Sequence, residues 1–455
     1  MRSAQDGTRA LTPSERALAA GVGAVMMLLS MVSLGVMVAL ATPVVRLVEG
    51  VSAEAQLESR LALIRAAGDP ASIADLARAP IPDDENAAVV LERIGPRLSE
   101  FSNENARFFD TPIGKSYDQG QDRGEPPTPE QIFEIRLILI KYPDIEEALA
   151  QAADCDGYAP LRDYTLPFTA FVEAAIGTQR TPRMAVRFLN WRMEVLIADG
   201  FHEDALEQGL TTLRLARLYG SQPTIVPFIV GIAMRGLGTP HIYDALAAGP
   251  VSAELHAALD EELALADSPQ SLVRALKTER AASADWANEH LAWKPLLPAA
   301  YRSILISEQW GLLDEIDAHL QLAEMPWHEA RTRIAPSESV APPSKRGKLA
   351  DSLLPGLQAT FHANARILAV LRSLRIYNAL RKFSDKHGRE AAGLEELGLP
   401  ASATIDPYSG EPLKMKHTDD GWVVYSVMEN GVDDGGDFVG RKDYGVAPRK
   451  LRLTE

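Results

Sequence analysis

The chain has 455 residues, 46% of them hydrophobic and 24% charged, with a net charge of -16. That balance describes a folded protein with ample length for a core rather than a disordered chain. It also argues against general binding to nucleic acid, whose phosphates demand a basic surface. The single cysteine, Cys155, excludes an internal disulfide and has no metal-ligand spacing around it.

Ala17 to Ala41 carries no charge, and only Ser30 and Ser33 interrupt its apolar run. About 20 apolar residues at 1.5 Å each span the hydrocarbon core of a bilayer, so a transmembrane helix is expected over 17–41 with the lipid bilayer as its partner. Arg2, Arg9 and Arg16 precede the run and only Arg46 follows closely. The positive-inside bias then keeps 1–16 in the cytoplasm and places the bulk of the chain outside, as a single-pass inner-membrane protein. A cleaved signal peptide competes with this reading, because Ala39 and Ala41 frame Leu40 in a small-x-small pattern. Its apolar core would run only about 7 to 15 residues, which favours a retained anchor.

Segment 42–127 reads as stalk helices and a loop. Val44 to Ala67 is helix-compatible until Gly68-Asp69-Pro70 stops it, and Asp84 to Phe101 repeats Val89, Val90, Ile94 and Leu98 at helical intervals. Asn103 to Pro129 is rich in Gly, Pro, Asp and Asn and is expected to be a long loop. Segment 128–335 is expected to be a helical domain. Thr128-Pro129 and Thr181-Pro182 look like N-caps followed by proline at the first helical position. The stretch from Ala198 to Ala205 resembles one tetratricopeptide hairpin, and neighbouring segments do not repeat it, which implies solenoid-like packing of helical hairpins rather than an array. Ile135, Leu139, Leu189, Trp191, Leu196, Leu213, Ile229 and Leu312 are the expected buried positions. Segment 336–360, with Pro342-Pro343 and Lys345-Arg346-Gly347-Lys348, reads as a linker.

Phe361 to His387 is expected to form a long helix with Ile367, Val370, Leu371, Leu374 and Tyr377 on one face. Arg372, Arg375, Lys382 and Lys386 fall in another arc, read as a solvated basic face. Beyond it come Asp406-Pro407-Tyr408, then strands over Leu413 to His417 and Trp422 to Val427 around an Asp419-Asp420-Gly421 turn. Tyr425-Ser426 leads into Asn430-Gly431-Val432-Asp433-Asp434-Gly435-Gly436-Asp437, and a basic tail occupies 441–455. This order resembles the globular part of the major pseudopilin of type II secretion systems. The resemblance covers 361–440 and implies a small α+β module whose acidic loop binds calcium. By position, Asp433, Asp434 and Asp437 would be the oxygen donors, with Asn430 beside them. The anchor lies far upstream of that module and has no Gly-Phe-Thr-Leu-Ile-Glu-like segment, a departure from the pilin arrangement. The whole chain also resembles membrane-anchored bacterial proteins that join an anchor, a helical region and this ending.

Three carboxylates within eight residues, with glycines to bend the chain, suit a hard cation that takes six to eight oxygens, though the spacing is not that of an EF-hand. Patterns for zinc proteases, serine hydrolases and nucleotide loops do not occur in a credible context. His202, His241, His256, His290, His319 and His328 are scattered over expected helices, and Asp314, Glu315, Asp317 and His319 read as solvated helix surface. Two function classes compete. One is an anchored extracytoplasmic scaffold with a protein partner. The other is an extracytoplasmic enzyme whose site is assembled from distant helices. The absence of motifs favours the scaffold.

The topology is directly testable. Protease added to intact spheroplasts should digest the chain beyond Gly50. Protection of that region would reverse the orientation, and a mature N-terminus near Thr42 would replace the anchor with a cleaved signal.

Overall fold

The computed structural model describes residues 50–177, 180–290, 299–334 and 348–452. The expected cytoplasmic segment 1–16, the membrane span 17–41 and the first part of the 336–360 linker lie outside the described residues. Among the described residues the protein is mainly helical, with one small antiparallel sheet near the C-terminus.

Helix α1 (Gly50–Ala66) is not a free stalk. Leu57, Leu61 and Ile64 are buried against Ala284, Ile306 and Leu313, and Arg60 pairs with Asp314 and Asp317, each at 2.7 Å. The helix stops where expected, at a Gly68 with φ +83°. Asp314 and Asp317 are therefore interface residues, and Glu315 and His319 beside them keep only 11% and 5% of their side chains exposed. The solvated-surface reading is corrected for Asp317, Glu315 and His319, while Asp314 stays 68% exposed, as expected.

The expected loop over Asn103 to Pro129 is mostly helical. Helix α2 (Ala87–Asp110) starts at an Asn86 cap and runs past Phe101 to Asp110, and α3 (Pro112–Asp122) follows at once. Thr111 caps α3 by accepting the Gly114 amide at 3.0 Å, with Pro112 at the first helical position. Tertiary packing overrides the weak propensities: Phe108 and Tyr117 are buried in an aromatic group with Trp191. Helix α4 (Pro129–Leu139) opens on a full Thr128–Gln131 capping box, and α5 (Pro143–Ala153) follows. Phe101, fully buried, lies edge-on to Tyr142, Phe188 and Trp191 at 5.9, 5.2 and 5.6 Å.

Helix α6 (Phe168–Gly177) is followed by α7 (Arg180–Ala198), which includes the residue before Thr181, so Thr181 lies within the helix rather than at its cap. The Asp199-Gly200-Phe201 turn joins α7 to α8 (His202–Gly220), with Gly200 at φ +83°. Helix α9 (Ile225–Ala248) then runs back along α8. A Cβ at Gly231 would meet the Ala216 carbonyl oxygen at 2.8 Å, and one at Gly238 would meet Thr212 at 2.7 Å. The two backbones approach closely only because these positions are glycine. Helix α9 is long and apolar enough to cross a membrane by composition alone, yet 61% of its most apolar stretch is buried inside the protein. It is the core helix, packed by α7, by α11 (Gln270–His290) and by α14 (Lys348–His387) as well as by α8. Seven of the eight expected buried positions are buried, and Ile229 is half-buried.

Helix α10 (Ala253–Ala266), α12 (Ala299–Ala323) and the short α13 (Trp327–Ala330) complete the body. Helix α14 begins at Lys348, so the second part of the expected linker is helical. Half of its basic arc is corrected: Arg372 forks onto Asp267 at 2.8 and 2.9 Å, and Arg375 onto Asp260 at 2.6 and 2.9 Å, whereas Lys382 and Lys386 are exposed as expected. These ion pairs fasten α14 to α10. Between α14 and the sheet lie a 3-10 turn (Leu394–Leu397) and the short α15 (Ala401–Thr404).

Strands β1 (Lys414–Thr418) and β2 (Gly421–Ser426) pair with Thr418 opposite Gly421, leaving Asp419-Asp420 as a two-residue turn. Strand β3 (Tyr444–Val446) comes from the expected basic tail and pairs with β2. One apolar core contains Leu213, Tyr243, Leu259, Leu276, Leu374, Tyr408, Val424 and Val446, so the sheet and α14 are built onto the helical body.

Replacing Phe101 by Ala removes the ring that three other rings contact. Urea denaturation should show a loss of roughly 3–5 kcal/mol, and a loss below about 1 kcal/mol would mean that the aromatic group repacks around the gap.

Candidate functional site

The acidic loop is ordered by its own hydrogen bonds. Asp433 Oδ1 accepts the Tyr425 hydroxyl at 2.8 Å and the Gly435 amide at 3.0 Å. Asn430 donates from Nδ2 to Asp434 at 2.8 Å, and its Oδ1 accepts the Val432 amide. Asp437 accepts the Val439 amide and the Lys442 ammonium at 3.0 and 2.9 Å. Lys416 donates to the Gly435 carbonyl. These carboxylates thus engage separate partners, and two lysines reach into the loop. Among the described residues no three Asp, Glu, His or Cys side chains converge in a way that could hold a metal ion.

Sequence reasoning missed Asp443, which it left in the basic tail. Its side chain is buried; Oδ2 accepts the Gly436 amide at 2.8 Å, and Oδ1 has no hydrogen-bond partner. Burial pushes its pKa up, and the Asp434 and Asp433 charges add to the rise against the pull of the loop amides. In the sequence Asp406 stands out only as part of a turn. It is buried, and it ties that turn to the end of β2 by accepting the Tyr408 amide, the Ser426 hydroxyl and the Val427 amide at 2.8, 2.7 and 3.0 Å.

A second polar group lies where the C-terminus meets α3, α7 and α9. Glu194 on α7, with 1% of its side chain exposed, accepts the Tyr117 hydroxyl at 2.7 Å and Gln121 Nε2 at 2.9 Å. Arg449 Nη2 and His241 Nε2 lie 3.4 and 3.5 Å from its Oε1. Arg449 also donates to Asp244 at 2.7 Å, and Arg452 reaches the same carboxylate at 2.5 Å. Burial raises the Glu194 pKa, but His241, Arg449 and Tyr117 together outweigh it and hold the carboxyl below its usual range. Burial and the Glu194 charge push the Tyr117 hydroxyl well up, so it stays a donor. The sequence signal for this site was a lone glutamate inside the apolar run Met193 to Ile197.

His256 and His202 are satisfied within the fold, whereas His241 Nδ1 and His319 Nε2 are buried without a hydrogen-bond partner. His256 is buried, with Nδ1 2.7 Å from Asn378 Oδ1, and His202 Nε2 lies 2.7 Å from the Pro250 carbonyl. Glu203 beside it accepts the Ser252 amide at 2.6 Å. These residues fasten α8, α10 and α14 together and share no metal site among the described residues. The crevice lined by Leu57, Leu61, Ala284, Leu312 and Leu313 is apolar, with room for little more than a water molecule. No family model matches the chain, and no curated protein or solved structure is similar to it.

The Glu194 network should govern stability. Arg449→Met leaves a buried carboxylate without its guanidinium partner, at a cost of roughly 3–5 kcal/mol, while Arg449→Lys should recover part of it. A carboxyl whose folded pKa is depressed contributes stability above its unfolded value near 4.5 and loses it as pH falls through the lower folded value. Acid unfolding of the wild type should therefore be steeper below pH 4.5 than that of Glu194→Gln, and superimposable acid limbs would exclude Glu194 as a source.

Proposed function

We propose that this protein is a membrane-anchored extracytoplasmic scaffold whose helical body docks a protein partner. One observation carries the reading: an apolar ridge on the surface of α4 and the α7–α8 turn. Phe133, Leu137 and Ile140 recur at i, i+4 and i+7 and stay 54%, 40% and 65% exposed. The Arg136–Asp199 ion pair at 2.5 Å brings the turn alongside α4, and Phe201 on that turn is 58% exposed. Single exposed apolar residues are ordinary, whereas a contiguous group of large ones marks an interaction surface. The opposite face of α4 buries Ile132, Ile135 and Leu139, so the ridge is surplus to the core. The anchor rests on the charge-free run at 17–41 and its preceding arginines.

The test is photo-crosslinking in cells through a photoreactive residue at Leu137. A discrete adduct is expected, and Phe133→Asp with Ile140→Asp should abolish it while leaving thermal unfolding unchanged. If only diffuse or no adducts form at Leu137, the ridge is not the docking face and the enzyme reading gains ground.

The calcium reading keeps one observation in its favour, the buried Asp443 carboxylate with an unpartnered oxygen facing the Asp433 and Asp434 charges. Asp433, Asp434, Asp437 and Asn430 would have to leave their present partners, and Lys416 would have to withdraw, for the loop to supply six or more oxygens. Millimolar calcium should then raise the melting temperature of the full chain over the value in chelator, and Asp443→Asn should remove the difference. A melting curve indifferent to both leaves the loop as a hydrogen-bonded turn.

A further inference from the structure

Arg235 stands in the middle of the core helix α9 and is 5% exposed. It is the lone charge between Ile225 and Thr239 in sequence. Its Nε is buried without a hydrogen-bond partner, and no ion pair or side-chain hydrogen bond engages its guanidinium among the described residues. The nearest opposite charge, Glu262 on α10, is already occupied: Arg217 on α8 forks onto both of its oxygens at 2.8 and 3.2 Å. Two more cations approach from the solvent side. Arg274 on α11 is exposed, has no partner among the described residues and acts on Arg235 as a like charge. Arg78, donating to the Ser221 carbonyl at 3.3 Å, acts in the same way on Arg274. Arg235 thus sits among the charges of Arg217 and Arg274 with one carboxylate in reach, and Arg217 already occupies that carboxylate.

This is an unusual arrangement for a chain with a net charge of -16. Elsewhere the inward-facing arginines of this protein meet carboxylates, as Arg280 meets Asp69 and Asp317 and Arg372 meets Asp267. A buried cation with no acceptor costs several kcal/mol. Burial, with Arg217 and Arg274 adding, lowers the Arg235 pKa to about 10 against the pull of Glu262, so the group remains a cation at neutral pH. The arrangement is balanced if an anion supplies the missing acceptors. A phosphate group suits it better than a carboxylate, because it carries more charge, offers three or more acceptor oxygens and takes forked guanidinium donors from several directions.

We propose that Arg235, with Arg217 and Arg274 on its solvent side, forms a binding site for a phosphate group, carried by a soluble phosphate or by a lipid headgroup. Arg235 is the fixed donor at the base, since α9 is packed on its other faces. Arg274 is the mobile donor at the rim, and Arg217 keeps Glu262 from competing.

The experiment uses the purified full chain in nanodiscs of phosphatidylcholine. Thermal unfolding is followed in millimolar inorganic phosphate and in chloride at equal ionic strength, and separately in discs containing phosphatidic acid. A rise of the midpoint by about 2 °C or more is expected with the matching source of phosphate. A response to inorganic phosphate assigns a soluble ligand, and a response to phosphatidic acid alone assigns a lipid. Arg274→Ala, at an exposed position, should keep the phosphate-free midpoint and lose the response. Arg235→Met should raise the phosphate-free midpoint, because the uncompensated charge is gone, and should also lose the response. The proposal fails if neither source shifts the wild-type midpoint, if Arg274→Ala responds like the wild type, or if Arg235→Met lowers the phosphate-free midpoint.

Discussion

Helices α8 and α9 lie closer than side chains would permit, and the helical body is assembled around that seam. Gly231 against the Ala216 carbonyl and Gly238 against Thr212 let the two backbones come together. The remaining faces of α9 are then free for α7, α11 and α14, and each takes one. A helix covered by neighbours over most of its surface must be apolar over most of it, which accounts for the apolar composition of α9. It also explains why the polar residues of α9 are consequential. Asp244 and His241 end in the interior and are met by the C-terminal arginines and by Glu194, whereas Arg235 is met by no acceptor within the fold.

Charge does the fastening elsewhere. With acids in surplus, arginine is the connector: Arg60 ties α1 to α12, Arg280 ties α11 to α12 and to Asp69, and Arg372 and Arg375 tie α14 to α10. Most of these arginines are less than a fifth exposed, so their pairs are partly desolvated. Such pairs add less net stability than their Coulomb attraction suggests, yet separating one partner is costly. Their effect is to fix which helix sits beside which, and in what register, on a surface whose apolar residues alone would tolerate slippage.

Local signals were legible in the sequence, and long-range ones were not. The Thr128 capping box, the Gly200 turn and the two-residue Asp419-Asp420 turn are each specified by neighbours in the chain, and the structure has each of them. The segment 103–129 was misread because its glycines and prolines outweigh, in composition, the Thr111-Pro112 cap and the two aromatic anchors Phe108 and Tyr117. Whether those anchors find partners depends on Trp191, some eighty positions away. Arg372 and Arg375 of α14 were read as solvated because nothing on that helix reveals the acidic residues of α10. Glu194 shows the limit most clearly: its partners stand at 117, 121, 241 and 449, and no local spacing connects them. Asp443 was lost for a different reason, since a count of charges in the tail hides one acid that faces inward.

The docked C-terminus also sets an order of events during synthesis. Tyr117, Gln121 and Glu194 leave the ribosome long before Arg449 and Arg452. The hydrogen bond between Gln121 and Arg449 closes a separation of 328 positions, and loops of that length close late because their entropy must be lost before any contact compensates. Until then the body holds a carboxylate in its interior with no guanidinium beside it. A chain in which this contact failed to form would keep almost all of its helices and still carry that defect, so the contact reports that segments far apart in sequence have found each other.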